Sequence, residues 1–440
     1  MAKTGMYVGL DIGTTSVKVI VAEYVDSQMN IIGVGNAKSE GINRGIVVDI
    51  DKAVQAIQRA VGQAEEKAGI KIRQVSVGVP ANLLEVEDCQ GMIAVSGESK
   101  EISNEDVRNV ASAALVRSVP PERQIISIQP QEFTVDGFEG TTDPRGMIGV
   151  RLEMFGHVFT GPKTIIHNIR KCVEKAGLVV AELVIAPLAL TETILSDGEK
   201  DFGTIVIDVG GGQTTTAVMH DKQLKFTHVN QEGGEFVTKD ISTVLNTSFN
   251  NAEALKINYG DAYPARTSAS EEFPVDVIGK SEPIKIDERY LSEIIEARME
   301  QIFNKSKEVL EEIDALELPG GVVLTGGAAS IPGIVDLAQE IFGVTVKLYV
   351  PNHMGLRNPV FTNVISIVNY SANLNEVYQL AKGAVTGEVM PTEQSVVYQQ
   401  ETNYETTYDG PQESPLAQDE ETSDEGFVNK VKGFFSNIFE

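Results

Sequence analysis

VGLDIGTTSVKVIVAEY, residues 8–24, and TIVIDVGGGQTTTAVMHDKQL, residues 204–224, carry one plan. In each, an apolar strand ends at an aspartate, one residue and a glycine follow, a Gly/Thr-rich turn comes next, and a second apolar strand leaves. A plain hairpin needs only a short turn of Gly, Asn or Asp, with no carboxylate closing its first strand. Alone, Asp11, Gly13, Thr14, Thr15 and Lys18 could be an ordinary polar turn. A second copy centred on Asp208 changes that reading to a duplicated α/β fold with two hairpin tips facing each other. Gly/Thr turns leave backbone N–H groups free of bulky neighbours, which makes a nest for an anion. Two such nests would hold a polyphosphate from both sides. Asp11 and Asp208 would approach it through a hydrated Mg²⁺, which keeps several waters and takes few carboxylates. Lys18 would add a point charge. The chain has no GxxxxGK[ST] and no GxGxxG after a strand, so neither a P-loop nor a Rossmann site is expected.

Bulk properties agree with a globular, multidomain protein. The chain has 440 residues, is 42% hydrophobic, and carries a formal net charge of −27. That charge argues against a nucleic-acid partner, which would need a basic face. Two cysteines, Cys89 and Cys172, and no His/Cys cluster argue against a disulfide framework or structural zinc. No run reads as a signal peptide or a membrane span, so a reducing cytoplasm is expected.

Two further segments suit a ligand held between halves. LPGGVVLTGGAASIPGIVDLAQEIFG, residues 318–343, reads as a buried strand, a Gly-Gly turn, and a helix opening near Ile331 with Ser330 and Pro332. Gly326 and Gly327 would let a flat base lie against backbone. HVNQEGGEFVTKDI, residues 228–241, places Gly233 and Gly234 just before another helix.

The order DIGTTSVK, IDVGGGQTT, GGEFVTKDI, NAEALKINYG and LTGGAASIPG resembles the actin-like ATPase superfamily. Within it, EGINRGIVVDID, IIEARMEQI and the length are most similar to the bacterial cell-division family FtsA, Gram-positive type. The resemblance implies an actin-like two-domain fold with the nucleotide in the cleft. Subdomain 1A would span 1–81 and 163–200, and 2A would span 201–234 and 316–384, its last part packing on 1A. Subdomain 2B would span 235–315. It also implies that Gly13, Thr14, Thr15, Lys18 and Gly210, Gly211, Gly212, Gln213 and Thr214 hold the phosphates of ATP. Gly233 and Gly234 would lie near the sugar–phosphate, Glu253 and Lys256 near ribose and adenosine, and Gly326, Gly327, Ala328 and Ala329 at the base. A helical charge pair such as Glu253/Lys256 is otherwise often just solvated.

Residues 82–162 break the pattern, with strand-like GMIAVSG, a helix capped by Ser103, and two further strands. This reads as an inserted α+β unit with nothing catalytic in it, His157 and, just beyond, His167 being structural. By resemblance it is subdomain 1C, which serves protein contacts. From 385 to 424 there are ten carboxylates and no Lys or Arg, the composition of a solvated linker. Residues 425–440, EGFVNKVKGFFSNIFE, would place Phe427, Val428, Val431, Phe434, Phe435, Ile438 and Phe439 on one helical face, with Lys430 and Lys432 beside it. Such a helix on a long tether suits the surface of a bilayer.

The function that the resemblance implies is a polymer-forming adaptor that binds ATP, assembles into filaments and ties the division GTPase FtsZ to the inner membrane face, which the tail suits. By resemblance the FtsZ peptide would dock on subdomain 2B, where Arg289, Arg298 and Lys305 are on offer. A sugar kinase, or a pilus-assembly relative, is the alternative, and neither calls for the tail. One departure concerns chemistry. Related ATPases carry Glu-Pro where this chain has Ala186-Pro187, and alanine cannot orient water. Unless Glu182 or Glu192 substitutes, ATP is expected to be mainly a structural ligand.

Overall fold

Apolar runs become the strands of three larger sheets and two small hairpins in the computed structural model, which describes residues 4–116 and 119–386. In the first half, β1 (Gly5–Ile12), β2 (Ser16–Val25) and β3 (Gln28–Lys38) form a meander. A small hairpin follows, β4 (Ile42–Asn43) and β5 (Ile46–Val47), then helix α1 (Ile50–Ala68) and β6 (Gln74–Val79). Asp49 caps α1, its carboxylate accepting from Lys52 N–H. The inserted unit comprises β7 (Glu85–Ala94), α2 (Asn104–Ala114), β8 (Arg123–Val135), β9 (Phe138–Thr141) and β10 (Arg151–Pro162). Helix α3 (Lys163–Lys175), β11 (Val179–Ile185), α4 (Ala186–Ile194) and α5 (Asp197–Phe202) close the half.

The second half opens with β12 (Thr204–Val209), β13 (Thr214–His220) and β14 (Gln223–Asn230), then α6 (Gly234–Val244) and α7 (Phe249–Tyr259). A hairpin, β15 (Glu272–Val275) and β16 (Ile284–Asp287), leads into the long helix α8 (Glu288–Glu311). After β17 (Val322–Thr325) come α9 (Ile334–Phe342), β18 (Val346–Leu348), α10 (Thr362–Asn373) and α11 (Glu376–Thr386).

The duplication extends past the hairpins to whole sheets. The first sheet runs β11-β6-β1-β2-β3 and the second β18-β17-β12-β13-β14, each an antiparallel meander joined to parallel strands. Parallel strands put their carboxyl ends on one edge, so Asp11, Val79 and Ile185 gather at one edge of the first sheet. Asp208 and Thr325 gather likewise in the second. The inserted unit has its own antiparallel sheet, β7-β10-β8-β9. Ser103 caps its helix α2 reciprocally with Asp106.

Two sequence expectations shift. The helix expected near Ile331 starts at Ile334. Ala328–Ser330 form a 3₁₀ turn, and Gly333 sits at φ +74°, outside the helical region. The first residues of the linker expected from Val385 are helical, because α11 continues to Thr386 with Val377 and Ala381 buried in the inserted unit's core. In the last part of the 316–384 stretch, α10 packs on β1, β2, β6 and α4 of the first half, and α11 packs on α2 and β8 of the inserted unit. The rest of the acidic linker, and the residues Phe427 to Phe439 of the expected amphipathic helix, lie outside the described residues. Among the described residues no helix is long and apolar enough to cross a membrane.

Candidate functional site

The strand register sets the chemistry at each hairpin tip. Asp11 pairs with Lys18 across β1–β2, and Asp208 pairs with Thr215 across β12–β13. Both turns span four residues, so the copies superpose position for position, with threonine where the first has lysine. Lys18 is buried, its Nζ 3.7 Å from Asp11 Oδ2. Lys18 thus pairs with Asp11 and acts on Asp208 through its charge, without an ion pair. Burial raises the carboxyl pKa of Asp11, with Lys18 opposing. Asp208 is pushed up to about 6, first by burial and then by the Asp11 charge, against a hydrogen bond from Asn363 and the charge of Lys18. That donor set, two desolvated acids facing each other across a cleft, fits a hydrated Mg²⁺.

The tips touch. A Cβ on Gly211 would stand 2.2 Å from Thr15 Cγ2, and one on Gly212 2.4 Å from Thr14 Cγ2, so only glycine admits this approach. Not every turn amide is free. Gly13 N–H donates to Ser16 O at 3.2 Å and Gly210 N–H to Gln213 O at 3.0 Å, closing each turn. Among the described residues, the amides of Thr14, Thr15, Gly211 and Gly212 make no such bond, and these are the donors left for an anion.

The remaining sequence-picked residues join this centre by successive contacts. Gly234 and Glu235 donate N–H to the carbonyls of Gly210 and Gly211 at 2.9 and 2.8 Å, and Thr214 Oγ1 donates to Glu232 O. That seats Gly233, the residue before α6, against the second tip. Glu253 and Lys256 are no loose surface pair. Lys256 Nζ donates to Glu253 at 2.7 Å, to Thr238 Oγ1 at 2.7 Å and to Gly234 O at 3.1 Å, fixing α7 to the start of α6. Glu235 lies half-buried beside them, its pKa raised by burial against Lys256. Gly326 stands at φ +97°, where a Cβ would fall 2.2 Å from Asp208 Oδ1. Gly327 follows it, and Ala328 and Ala329 are buried, Ala328 Cβ lying 3.0 Å from where Gly234 would carry its own.

Sequence reading missed three neighbours. Gly45 N–H donates to Thr14 Oγ1 at 2.9 Å, bringing the β4–β5 turn onto the first tip. Asn82 packs at the same turn beside Gln213, close enough that a Gly45 Cβ would strike both side chains. Asn363 on α10 donates to Asp208 Oδ2 at 2.7 Å. The EGINRGIVVDID stretch was legible only as a family trait, and an asparagine in an apolar helix gives no signal. Ala186 opens α4 at the carboxyl end of β11, on the Asp11 edge of the sheet. Neither proposed substitute is available there: Glu182 pairs with Lys382 of α11, and Glu192 with Lys200 at 3.0 Å. On α8, Arg298 is engaged by Asp240 and Glu232, Lys305 by Glu232, and Arg289 by Glu293.

Family patterns cover three stretches. "Cell division protein FtsA" matches residues 205–366, "SHS2 domain inserted in FTSA" residues 82–160, and "Cell division protein FtsA, C-terminal" residues 377–440. The chain is 80% identical over 442 residues to the cell division protein FtsA of Enterococcus hirae, covering 100% of both. To that of Enterococcus faecalis it is 79% identical, again over 100% of both.

The chain belongs to the FtsA family of cell-division proteins.

Solved structures share the family's fold at low identity. A PilM–PilN type IV pilus biogenesis complex matches with a TM-score of 0.58 at 16% identity, over 84% of this chain and 99% of that one. MreB5 of Spiroplasma citri bound to ADP gives 0.51 at 13%, and a MamK double helical filament 0.51 at 12%, each over the same shares. These likenesses show an actin-like fold. Full-length identity to division proteins sets aside the sugar-kinase and pilus-assembly alternatives.

Proposed function

We propose that this FtsA-family chain binds ATP with Mg²⁺ between its two hairpin tips, polymerises, and fastens the FtsZ ring to the cytoplasmic face of the membrane at the division site, helping to recruit later division proteins. The observation that carries the nucleotide reading is the meeting of the tips, Gly211 on Thr15 and Gly212 on Thr14, over the Asp11–Lys18–Asp208 group. The free amides of both tips would hold phosphate oxygens, Lys18 would add its charge, and Asp11 and Asp208 would bind the waters of Mg²⁺. The cation would supply charge neutralisation for the phosphates. A fold neighbour described with ADP and another described as a filament support nucleotide binding and self-assembly. Membrane attachment by residues 425–440, recruitment through the inserted unit and FtsZ docking on 235–315 rest on the sequence. For an acidic FtsZ peptide, Glu232 and Asp240 are competitors it would have to displace from Arg298 and Lys305.

Titration calorimetry with ATP, with Mg²⁺ and then with EDTA, tests the site. Asp208→Ala should abolish the Mg²⁺-dependent part of the affinity. Unchanged affinity in both conditions would refute the duplicated-tip site.

A further inference from the structure

Helix α10 belongs to neither half alone. Its body is seated on the first sheet, where glycines make room for it. A Cβ on Gly9 would stand 2.6 Å from Val368 Cγ2, and one on Gly78 2.6 Å from Ile367 Cδ1. Val364, Ile367 and Val368 are fully buried there. Its first turn reaches the other half. Thr325 Oγ1, at the end of β17, donates to Thr362 Oγ1 at 2.8 Å, and Thr362 in turn donates to Pro359 O. The next residue, Asn363, donates to Asp208 Oδ2 at 2.7 Å.

Asp208 has little else to hold it. Across the strand it faces Thr215, where Asp11 faces Lys18, and among the described residues it makes no ion pair. Its other oxygen, Oδ1, takes the space that Gly326 leaves by having no side chain, 2.2 Å from where a Cβ would stand. A short amide clamped at the start of a rigid helix fixes the carboxylate through one oxygen and leaves the other for a ligand. Asparagine is suited to this, since its Nδ2 donates without adding charge beside Asp11. We propose that Asn363 is a positioning residue of the cleft: it orients Asp208 toward the hydrated cation of the bound nucleotide. Because α10 is packed on the first sheet, it also ties that orientation to the seating of the two halves. The inference rests on the nucleotide reading given above.

The test is a cycle on the full chain with Asn363→Leu, Asp208→Asn and the double variant. ATP affinity is measured by calorimetry in Mg²⁺ and in EDTA. Melting temperature is measured without nucleotide. A hydrogen bond to a charged group predicts that Asn363→Leu lowers ATP affinity about tenfold or more in Mg²⁺. In EDTA the affinity should stay within about twofold, and the variant should have no further effect once Asp208 is Asn. Asn363→Ala, which removes the donor without adding charge or bulk, should lose the Mg²⁺-dependent part as well and serves if the leucine variant misfolds. Equal losses with and without Mg²⁺, or additive losses in the cycle, would overturn the positioning role. Should the parent chain bind no ATP, the nucleotide reading falls by itself. The melting cycle then decides alone, coupling between the two substitutions supporting the Asn363–Asp208 link and additivity ending it.

Discussion

Asp106 shows how far one residue's surroundings override its type. It is almost fully buried on α2, which alone would favour the neutral acid. Hydrogen bonds from the side chains and backbone N–H groups of Ser103 and Ser96 outweigh that burial and hold its pKa at about 2. The folded value lies below the unfolded one, so the unfolded state takes up protons first as pH falls. The stabilisation is complete above about pH 4 and lost as pH drops toward 2, and a shift of this size is on the order of 2 kcal/mol. Urea midpoints of the parent and Asp106→Asn, compared from pH 7 to pH 2, should differ at neutral pH and converge in acid. A gap that stays constant through that range would mean the serine bonds do not favour the charged form.

At the scale of elements, α11 completes a unit whose strands lie more than two hundred residues earlier. Val377 and Ala381 are buried with Val107, Val110, Ile128 and Met154, so the inserted sheet shares its apolar face between α2 and α11. The helix is pinned at both ends. Arg145 binds Glu376 at 2.7 Å, and Lys382 binds Glu182, both partners of the latter pair nearly buried. Removing one partner of such a pair leaves a charge without compensation, typically costing about 3–5 kcal/mol, whereas an apolar pair of similar volume can be near neutral. Lys382→Met should therefore destabilise the chain and expose residues 376–386 to protease, and Glu182→Leu in the same chain should restore most of the loss. Denaturant midpoints with limited proteolysis read both effects. No rescue in the double variant would place the damage in packing and not in the stranded carboxylate.

For the molecule as a whole, the proposed ATP site raises the question of whether the nucleotide would be turned over or would hold the cleft closed. A ligand that binds the closed, assembled form in preference stabilises that form without any chemistry. Ala186 stands on the Asp11 edge where related ATPases carry a carboxylate, and Glu182 and Glu192 are committed to Lys382 and Lys200. Single-turnover hydrolysis by the parent chain should thus fall far below the usual enzyme range of about 1–1000 per second. Ala186→Glu should raise it. Fast hydrolysis by the parent that persists when Glu182 and Glu192 are both changed would show that water is oriented by some other group. Attachment is testable at the same scale. Phe434→Glu with Phe435→Glu puts two charges into the segment proposed to meet lipid, and flotation with anionic vesicles should vanish while ATP affinity stays. A double variant that still floats would assign the membrane contact elsewhere.

The duplication was legible because it is local. Asp, a spacer, glycine and a Gly/Thr turn must lie within a few residues to build a tip, so both copies could be read directly, as could the Ser103 cap and the glycine pairs at 233–234 and 326–327. The order of those motifs also carried the family resemblance. What packing decided is everything that depends on distant chain meeting. Nothing local says that Asn363 will reach Asp208, that Gly45 will donate to Thr14, or that α11 will pack on the inserted unit. Ser330 and Pro332 read as opening a helix near Ile331, but Gly333 at φ +74° delays its start to Ile334. Charge on a helix was the least legible feature, because whether Arg298 or Lys256 is solvated or clamped depends on which carboxylates the fold brings alongside. Sequence fixes the residues that can do the chemistry when their spacing is short. Their orientation and protonation come from burial and from partners that only the folded chain supplies.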